Sequence, residues 1–128
     1  MKLITPKELF RAGELVAAKH LVKHGYEVFE RNFRSPYGEI DIIACKEHTL
    51  AFVEVKTRKK HDLELTLANI SYTKQKKISD TAHYYINQNP ELCKLETRFD
   101  VIVVFHYQAS DTYKVLHFED AFLPVDSQ

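Results

Sequence analysis

Gly38-Glu39-Ile40-Asp41-Ile42-Ile43-Ala44 and Phe52-Val53-Glu54-Val55-Lys56 are two apolar runs, each interrupted by charged residues. Between them, Lys46-Glu47-His48-Thr49 is a polar stretch suited to a hairpin turn. Ile40 to Cys45 and Leu50 to Arg58 therefore read as antiparallel neighbours. Pairing Cys45 with Leu50 sets Ile43 against Phe52, Asp41 against Glu54, and Glu39 against Lys56. Alternation along a strand points all of these to one face of a sheet. The β-carbons of Asp41 and Glu54 then lie about 5 Å apart, and like charges so placed weaken a hairpin. Charged groups in strands this apolar are almost never fully buried unless paired or bound to metal. A divalent cation between the two carboxylates reverses the repulsion. Mg²⁺ is commonly held by one or two carboxylates plus water and phosphate oxygens. Lys56, two residues beyond Glu54, is placed to orient an attacking water or to stabilise charge on a phosphate. A plainer alternative is a solvated hairpin face with a cross-strand salt bridge. Val53 and Val55, on either side of Glu54, speak against it.

Upstream, Thr5-Pro6-Lys7-Glu8 is a helix start, with a Thr cap, Pro at the first helical position and Glu three after the cap. Leu9, Phe10, Ala12, Val16, Ala17, Leu21 and Val22 recur at helical spacing until Gly25. Tyr26 to Phe29 reads as a short strand, and Arg31 to Tyr37, which contains Pro36, as a connecting loop. Downstream, residues 61–69 read as loop. A second helix is expected from about Thr73 to Asn87, closed by Pro90. Phe99 to Tyr107 and Tyr113 to Phe118 are two further strands, joined by a polar turn through Ser110 and Asp111. The order is α-β-β-β-α-β-β, and the passage from third to fourth strand through a helix implies a parallel pair. The sheet is therefore mixed and the fold α/β.

At 128 residues and 15.0 kDa, the chain has the length of one domain, with its core over about 6–122 and a short C-terminal tail. No apolar run reaches the length of a membrane span and no signal-peptide pattern opens the chain, so a cytoplasmic location is expected. Cys45 and Cys93 are too few for a disulfide framework or a zinc knuckle and read as buried reduced thiols. The formal net charge is zero, against non-specific coating of nucleic acid. Its distribution is uneven. Lys56, Arg58, Lys59 and Lys60 form one basic run, and Lys74, Lys76 and Lys77 another, apart from the acids at Glu39, Asp41 and Glu54. With three glycines in all, there is no phosphate-cradling loop or nucleophile elbow to suggest other chemistry.

An Asp on one strand and Glu-Val-Lys on the next, after a helix carrying a glutamate, resembles the PD-(D/E)XK nuclease superfamily. Gly38-Glu39-Ile40-Asp41, Phe52-Val53-Glu54-Val55-Lys56-Thr57-Arg58 and Arg98-Phe99-Asp100 resemble more closely the uncharacterised bacterial YraN-type family, which is similar to archaeal Holliday junction resolvases. The resemblance runs from Gly13-Glu14 to Ala121-Phe122. It implies a restriction-endonuclease-like mixed sheet flanked by helices. It also implies that Asp41 and Glu54 bind the metal with the main-chain carbonyl of Val55, and that Lys56 serves the nucleophilic water. Glu14 matches the first-helix glutamate that reaches the metal directly or through water; the residues alone allow an ordinary buried-edge glutamate equally well. Glu39 is an outer-shell carboxylate or the partner of Lys56.

Lys74 and Gln75 open the second helix, where main-chain amides and the helix dipole favour a phosphate, although a solvated basic turn explains them too. The chain departs from the family pattern over residues 61–70, which lack the expected glycine and aromatic residues. Arg98 and Asp100 read as an internal ion pair. His20 and His24 have zinc-ligand spacing but no third partner, and read as capping the last helical turn.

The function expected is Mg²⁺- or Mn²⁺-dependent endonucleolytic hydrolysis of phosphodiester bonds in DNA, with branched or junction DNA suggested by the resolvase similarity. Arg58, Lys59, Lys60, Lys74, Gln75 and Lys77 would contact nucleic acid. The resemblance also implies a homodimer, and nothing calls for a membrane or an organic cofactor. The alternative is a module on the same fold that binds nucleic-acid structures or a protein partner with little or no cleavage.

Overall fold

The computed structural model describes residues 3–59 and 69–125. Helix α1 (Pro6–Lys23) opens on the expected capping box: Thr5 Oγ1 accepts from the Glu8 amide at 3.1 Å, and Glu8 accepts from the Thr5 amide at 3.3 Å. It closes at His24, whose Nδ1 lies 2.8 Å from the His20 carbonyl, so this histidine pair caps the helix. Strands β1 (Glu27–Ser35), β2 (Gly38–Lys46) and β3 (Thr49–Lys59) follow. Helix α2 (Tyr72–Gln88), a 3₁₀ turn (Pro90–Lys94), β4 (Glu96–Tyr107) and β5 (Thr112–Phe122) complete the chain. The strands form one sheet in the order β1-β2-β3-β4-β5, antiparallel except for the parallel β3–β4 pair. This is the mixed α/β sheet expected.

The two helices cover opposite faces. On one, Ile43, Phe52, Val101 and Val103 pack with Ile78, Ala82 and Tyr85 of α2. On the other, Ile42, Val53, Val55, Ile102 and Val104 pack with Ala17 and Leu21 of α1. A strand covered on both sides needs apolar residues at consecutive positions, which is why β3 and β4 read as near-continuous apolar runs. No helix among the described residues is long and apolar enough to cross a membrane.

Three local expectations are corrected. Residues 31–35 belong to strand β1 rather than to a loop. β1 is an edge strand with no fully buried residue; a register shift between Val28 and Glu30 and a left-handed Asn32 (φ 54°) erase its alternation. Phe10, expected among the apolar residues that recur along the helix, is 42% exposed, because the buried face runs through Leu9, Gly13, Glu14 and Ala17. Both cysteines are free, but Cys93 is exposed and Cys45 only half-buried.

Candidate metal centre

The β2–β3 pairing follows the expected register from Lys46↔Thr49 to Ile42↔Val53 and stops there, one step short of Asp41. Beyond it the alternation of β2 slips. Ile40 packs on the α2 side with Ile43, where strict alternation would place it with Ile42. The Val55 amide donates to Asp41 Oδ2 at 2.7 Å, so a side chain takes the ladder's next hydrogen bond. Asp41 therefore does not stand square against Glu54 in a regular ladder. Nor does Glu39 face Lys56: it is exposed, opposite Arg34 of β1, with Arg34 Nε 4.0 Å from Glu39 Oε2.

Where the strands part, a cleft of about 570 Å³ opens between the first turns of the two helices. Asp41, Glu54, Val55, Thr57, Arg58 and Lys74 are in its wall, with Glu39, Lys77 and Phe10. The Asp41 carboxyl lies within hydrogen-bonding reach of Glu54 and of Glu14. All three acids are buried. Burial, then the Glu54 charge, pushes the Asp41 pKa up to about 8, against the opposing pull of the Val55 amide. Glu14 is raised mainly by burial, partly offset by Asn32 and Arg31.

Glu14 gets there because α1 lies unusually close to β3. A β-carbon on Gly13 would come within 2.0 Å of Thr57 Oγ1, so only glycine permits the approach. Thr57 Oγ1 is itself buried with no hydrogen-bond partner among the described residues. On the other side of Glu14, the Asn32 amide nitrogen donates to both carboxylate oxygens at 3.1 and 3.2 Å, in the orientation that satisfies both ends of the amide. Asn32 was absent from the sequence expectation. A left-handed asparagine inside a strand has no pattern in one sequence to mark it.

The cations are distributed differently from expectation. Lys74, on the first turn of α2, makes the salt bridge to Glu54. Lys56 instead donates to the Asn69 carbonyl, at the entrance to α2, and is not part of the cleft wall. Gln75 donates to the Ile70 carbonyl at 2.8 Å and so anchors that entrance instead of facing the cleft. Ser71 accepts from the Lys74 amide at 3.2 Å, satisfying one of the helix-terminal donors expected for a phosphate. Arg58 and Lys77 line the cleft; Lys59 is exposed at the end of β3, and Lys60 lies outside the described residues.

Glu14, Asp41 and Glu54 do not form a group in which every ligand atom lies within 4.8 Å of every other. Among the described residues, that criterion is met by Asp100, His117 and Glu119. Their centre is filled by Arg98, whose guanidinium pairs with Asp100 at 2.8 Å and Glu119 at 3.2 Å. That cluster is an ion-pair network, as Arg98 and Asp100 were expected to be, and a metal there would be repelled by the guanidinium.

The model of the uncharacterised protein family UPF0102 matches residues 13–104. The chain belongs to this family. It is the YraN-type family that the Gly-Glu-Ile-Asp and Phe-Val-Glu-Val-Lys runs resemble. A UPF0102 protein of Caldicellulosiruptor bescii is 40% identical over 116 residues, covering 91% of this chain and 98% of its own. One from Caldanaerobacter subterraneus is 37% identical over 123 residues, covering 95% and 100%. One from Chlorobium chlorochromatii is 38% identical over 119 residues, covering 90% and 91%. The matched span contains Glu14, Asp41, Glu54, Lys56 and Lys74.

Proposed function

We propose that this UPF0102 protein is a metal-dependent endonuclease that hydrolyses phosphodiester bonds in DNA, with branched or junction DNA as its substrate form. The observation that carries the reading is the pair Asp41–Glu54, two buried carboxylates in contact, open to a cleft, with a lysine on one of them. Folding alone disfavours such a pair. An all-oxygen donor set of this kind suits a hard divalent cation. Asp41, Glu54 and the Val55 carbonyl would hold Mg²⁺ or Mn²⁺, with Glu14 reaching it through Asp41 or water. When bound, the ion would supply a lowered water pKa and charge neutralisation at the phosphate.

The chain's own residues account for the rest. The Val55 amide fixes one Asp41 oxygen, and Asp41 itself lines the cleft. Asn32 holds Glu14 from behind. Lys74 occupies Glu54 and, released from it, would meet a phosphate oxygen from the same helix turn. Lys56 would turn from the Asn69 carbonyl to orient the attacking water. Arg58 and Lys77, on the cleft wall, would hold the flanking phosphates, with Lys59 beyond.

The test is cleavage of labelled branched, single-stranded and duplex DNA in Mg²⁺ or Mn²⁺, beside a metal titration followed by thermal shift. Cutting lost in Glu54→Ala by at least a hundred-fold, together with loss of metal-induced stabilisation, supports the reading. If the wild-type protein cuts none of these and its melting does not respond to metal, the nuclease assignment fails and the docking-module alternative gains.

A further inference from the structure

We propose that Tyr37 and Tyr84 form a stacking platform for an unpaired nucleobase beside the cleft, so that the nucleic acid favoured here carries a single-stranded segment next to the phosphate in the site. The inference rests on the nucleic-acid reading above and names the substrate feature that reading leaves open.

A second groove, of about 620 Å³, runs along the outer side of α2 and is lined by Tyr37, Tyr84, Lys76, His83 and Asn87. It shares a wall with the acidic cleft. Tyr37 and Lys76 line the groove, whereas their chain neighbours Gly38 and Lys77 line the cleft. Gly38 and Lys77 are in close contact: a β-carbon on Gly38 would lie 3.2 Å from that of Lys77. A strand leaving the cleft over this wall passes the two tyrosines.

The tyrosines are held ready. Tyr37 is 54% exposed, yet its turn is rigidly tied. Ser35 Oγ accepts from the Tyr37 amide at 3.0 Å and the Gly38 amide at 3.3 Å, and meets Thr81 Oγ1 of α2 at 2.8 Å. The Tyr37 ring stands edge-on to Tyr84, centroids 6.3 Å apart at 69°. Tyr84 is backed by Phe33 at 6.3 Å, and its hydroxyl accepts from Gln88 at 2.9 Å. Single exposed aromatics are ordinary on protein surfaces. Two in contact, buttressed from behind and bordering a site built for phosphate chemistry, are what base stacking uses. The surrounding charge agrees. Arg34, whose side chain is 81% exposed and 4.0 Å from the Glu39 carboxylate, shares a shallow pocket with Tyr37, and Lys77 stands on the cleft side of the common wall. The groove's acid, Asp80, is neutralised by Lys76 at 3.0 Å.

The experiment measures binding of the full chain in EDTA, by fluorescence anisotropy, to an oligothymidylate and to a blunt duplex. It compares wild type, Tyr37→Ala and Tyr37→Phe. Stacking on one base accounts for about ten-fold in affinity. Tyr37→Ala is therefore expected to weaken single-strand binding about ten-fold and leave the duplex unchanged, while Tyr37→Phe keeps wild-type affinity. Unchanged melting of Tyr37→Ala excludes a folding defect. Equal single-strand affinity in all three proteins, or an equal loss on duplex, would overturn the platform. The cleavage assay separates the two readings. Binding through Tyr37 with no cutting keeps the platform and sinks the nuclease; Glu54-dependent cutting with Tyr37-independent binding does the reverse. No binding to either DNA overturns the platform, while the nuclease still stands or falls on cutting.

Discussion

Asp41 of β2 and Asp100 of β4 are both buried aspartates on neighbouring parts of one sheet, and their surroundings treat the charge in opposite ways. Burial penalises the ionised form of each. At Asp100 that penalty is outweighed by hydrogen bonds from His117 and Arg98 and from the Asp120 amide, so its pKa falls below 3.8. A bulge in β5 turns the Asp120 amide toward it. At Asp41 the neighbours are Glu54 and Glu14, relieved by a single backbone amide, and the pKa rises to about 8. Asp100 is finished by the fold. Asp41 is completed only by a cation or a proton, and that incompleteness marks a site rather than a strut.

The largest effect expected from breaking this contrast lies on the Asp100 side. Asp100→Ala strands the Arg98 guanidinium among Tyr26, Glu119 and the β5 bulge, and removal of one partner of a buried ion pair costs about 3–5 kcal/mol. Urea unfolding of Asp100→Ala should show that loss at pH 7. Asp41→Asn at the same pH should show none, because Asn keeps an acceptor for the Val55 amide and offers Glu54 a donor.

A smaller effect, opposite in sign at the two residues, appears as pH changes. Asp100, with its pKa depressed on folding, stabilises the protein above about pH 4, and that contribution is lost as pH falls through its folded value. Asp41, with its pKa raised from 3.8 to about 8, favours the folded state while protonated. Its contribution is complete below about pH 4, is lost progressively as pH rises, and is gone by about pH 8. Melting temperature of the metal-free protein should therefore decline along a limb from about pH 4 to about pH 8 and level off above it. Asp41→Asn should flatten that limb, and saturating Mg²⁺ should flatten it in the wild type alone. A decline from about pH 4 to about pH 8 identical in wild type and Asp41→Asn would show that another group sets it.

The same contrast explains what the sequence could reveal. Charged residues inside apolar runs exposed Asp41 and Glu54, and the hairpin turn gave the right register as far as Ile42↔Val53. The helix caps and the parallel pair were equally legible, because each depends on local residue types or on burial of both strand faces. What escaped notice depends on contacts distant in sequence. Lys74 reaches Glu54 from twenty residues downstream, while Lys56, adjacent in the pattern, is drawn to Asn69. The edge strand β1 lacks a buried face to impose alternation, so both its length and Asn32 stayed hidden.

Asn32 offers the finest cut, because it joins a backbone feature to the acidic site. Its left-handed conformation costs most L-residues about 1 kcal/mol, but glycine adopts it freely. Asn32→Gly therefore preserves the backbone and removes only the amide that holds Glu14. Asn32→Ala removes the amide and adds the conformational cost. If the amide's main task is to position Glu14, both variants should lose metal-induced stabilisation to the same extent. Without metal the alanine variant should melt lower than the glycine variant, by about 1 kcal/mol in stability. Equal melting with unequal metal response would instead mean that the β1 backbone, and not its side chain, shapes the site. Glu14 would then resemble Asp100, a buried acid settled by the fold, more than Asp41.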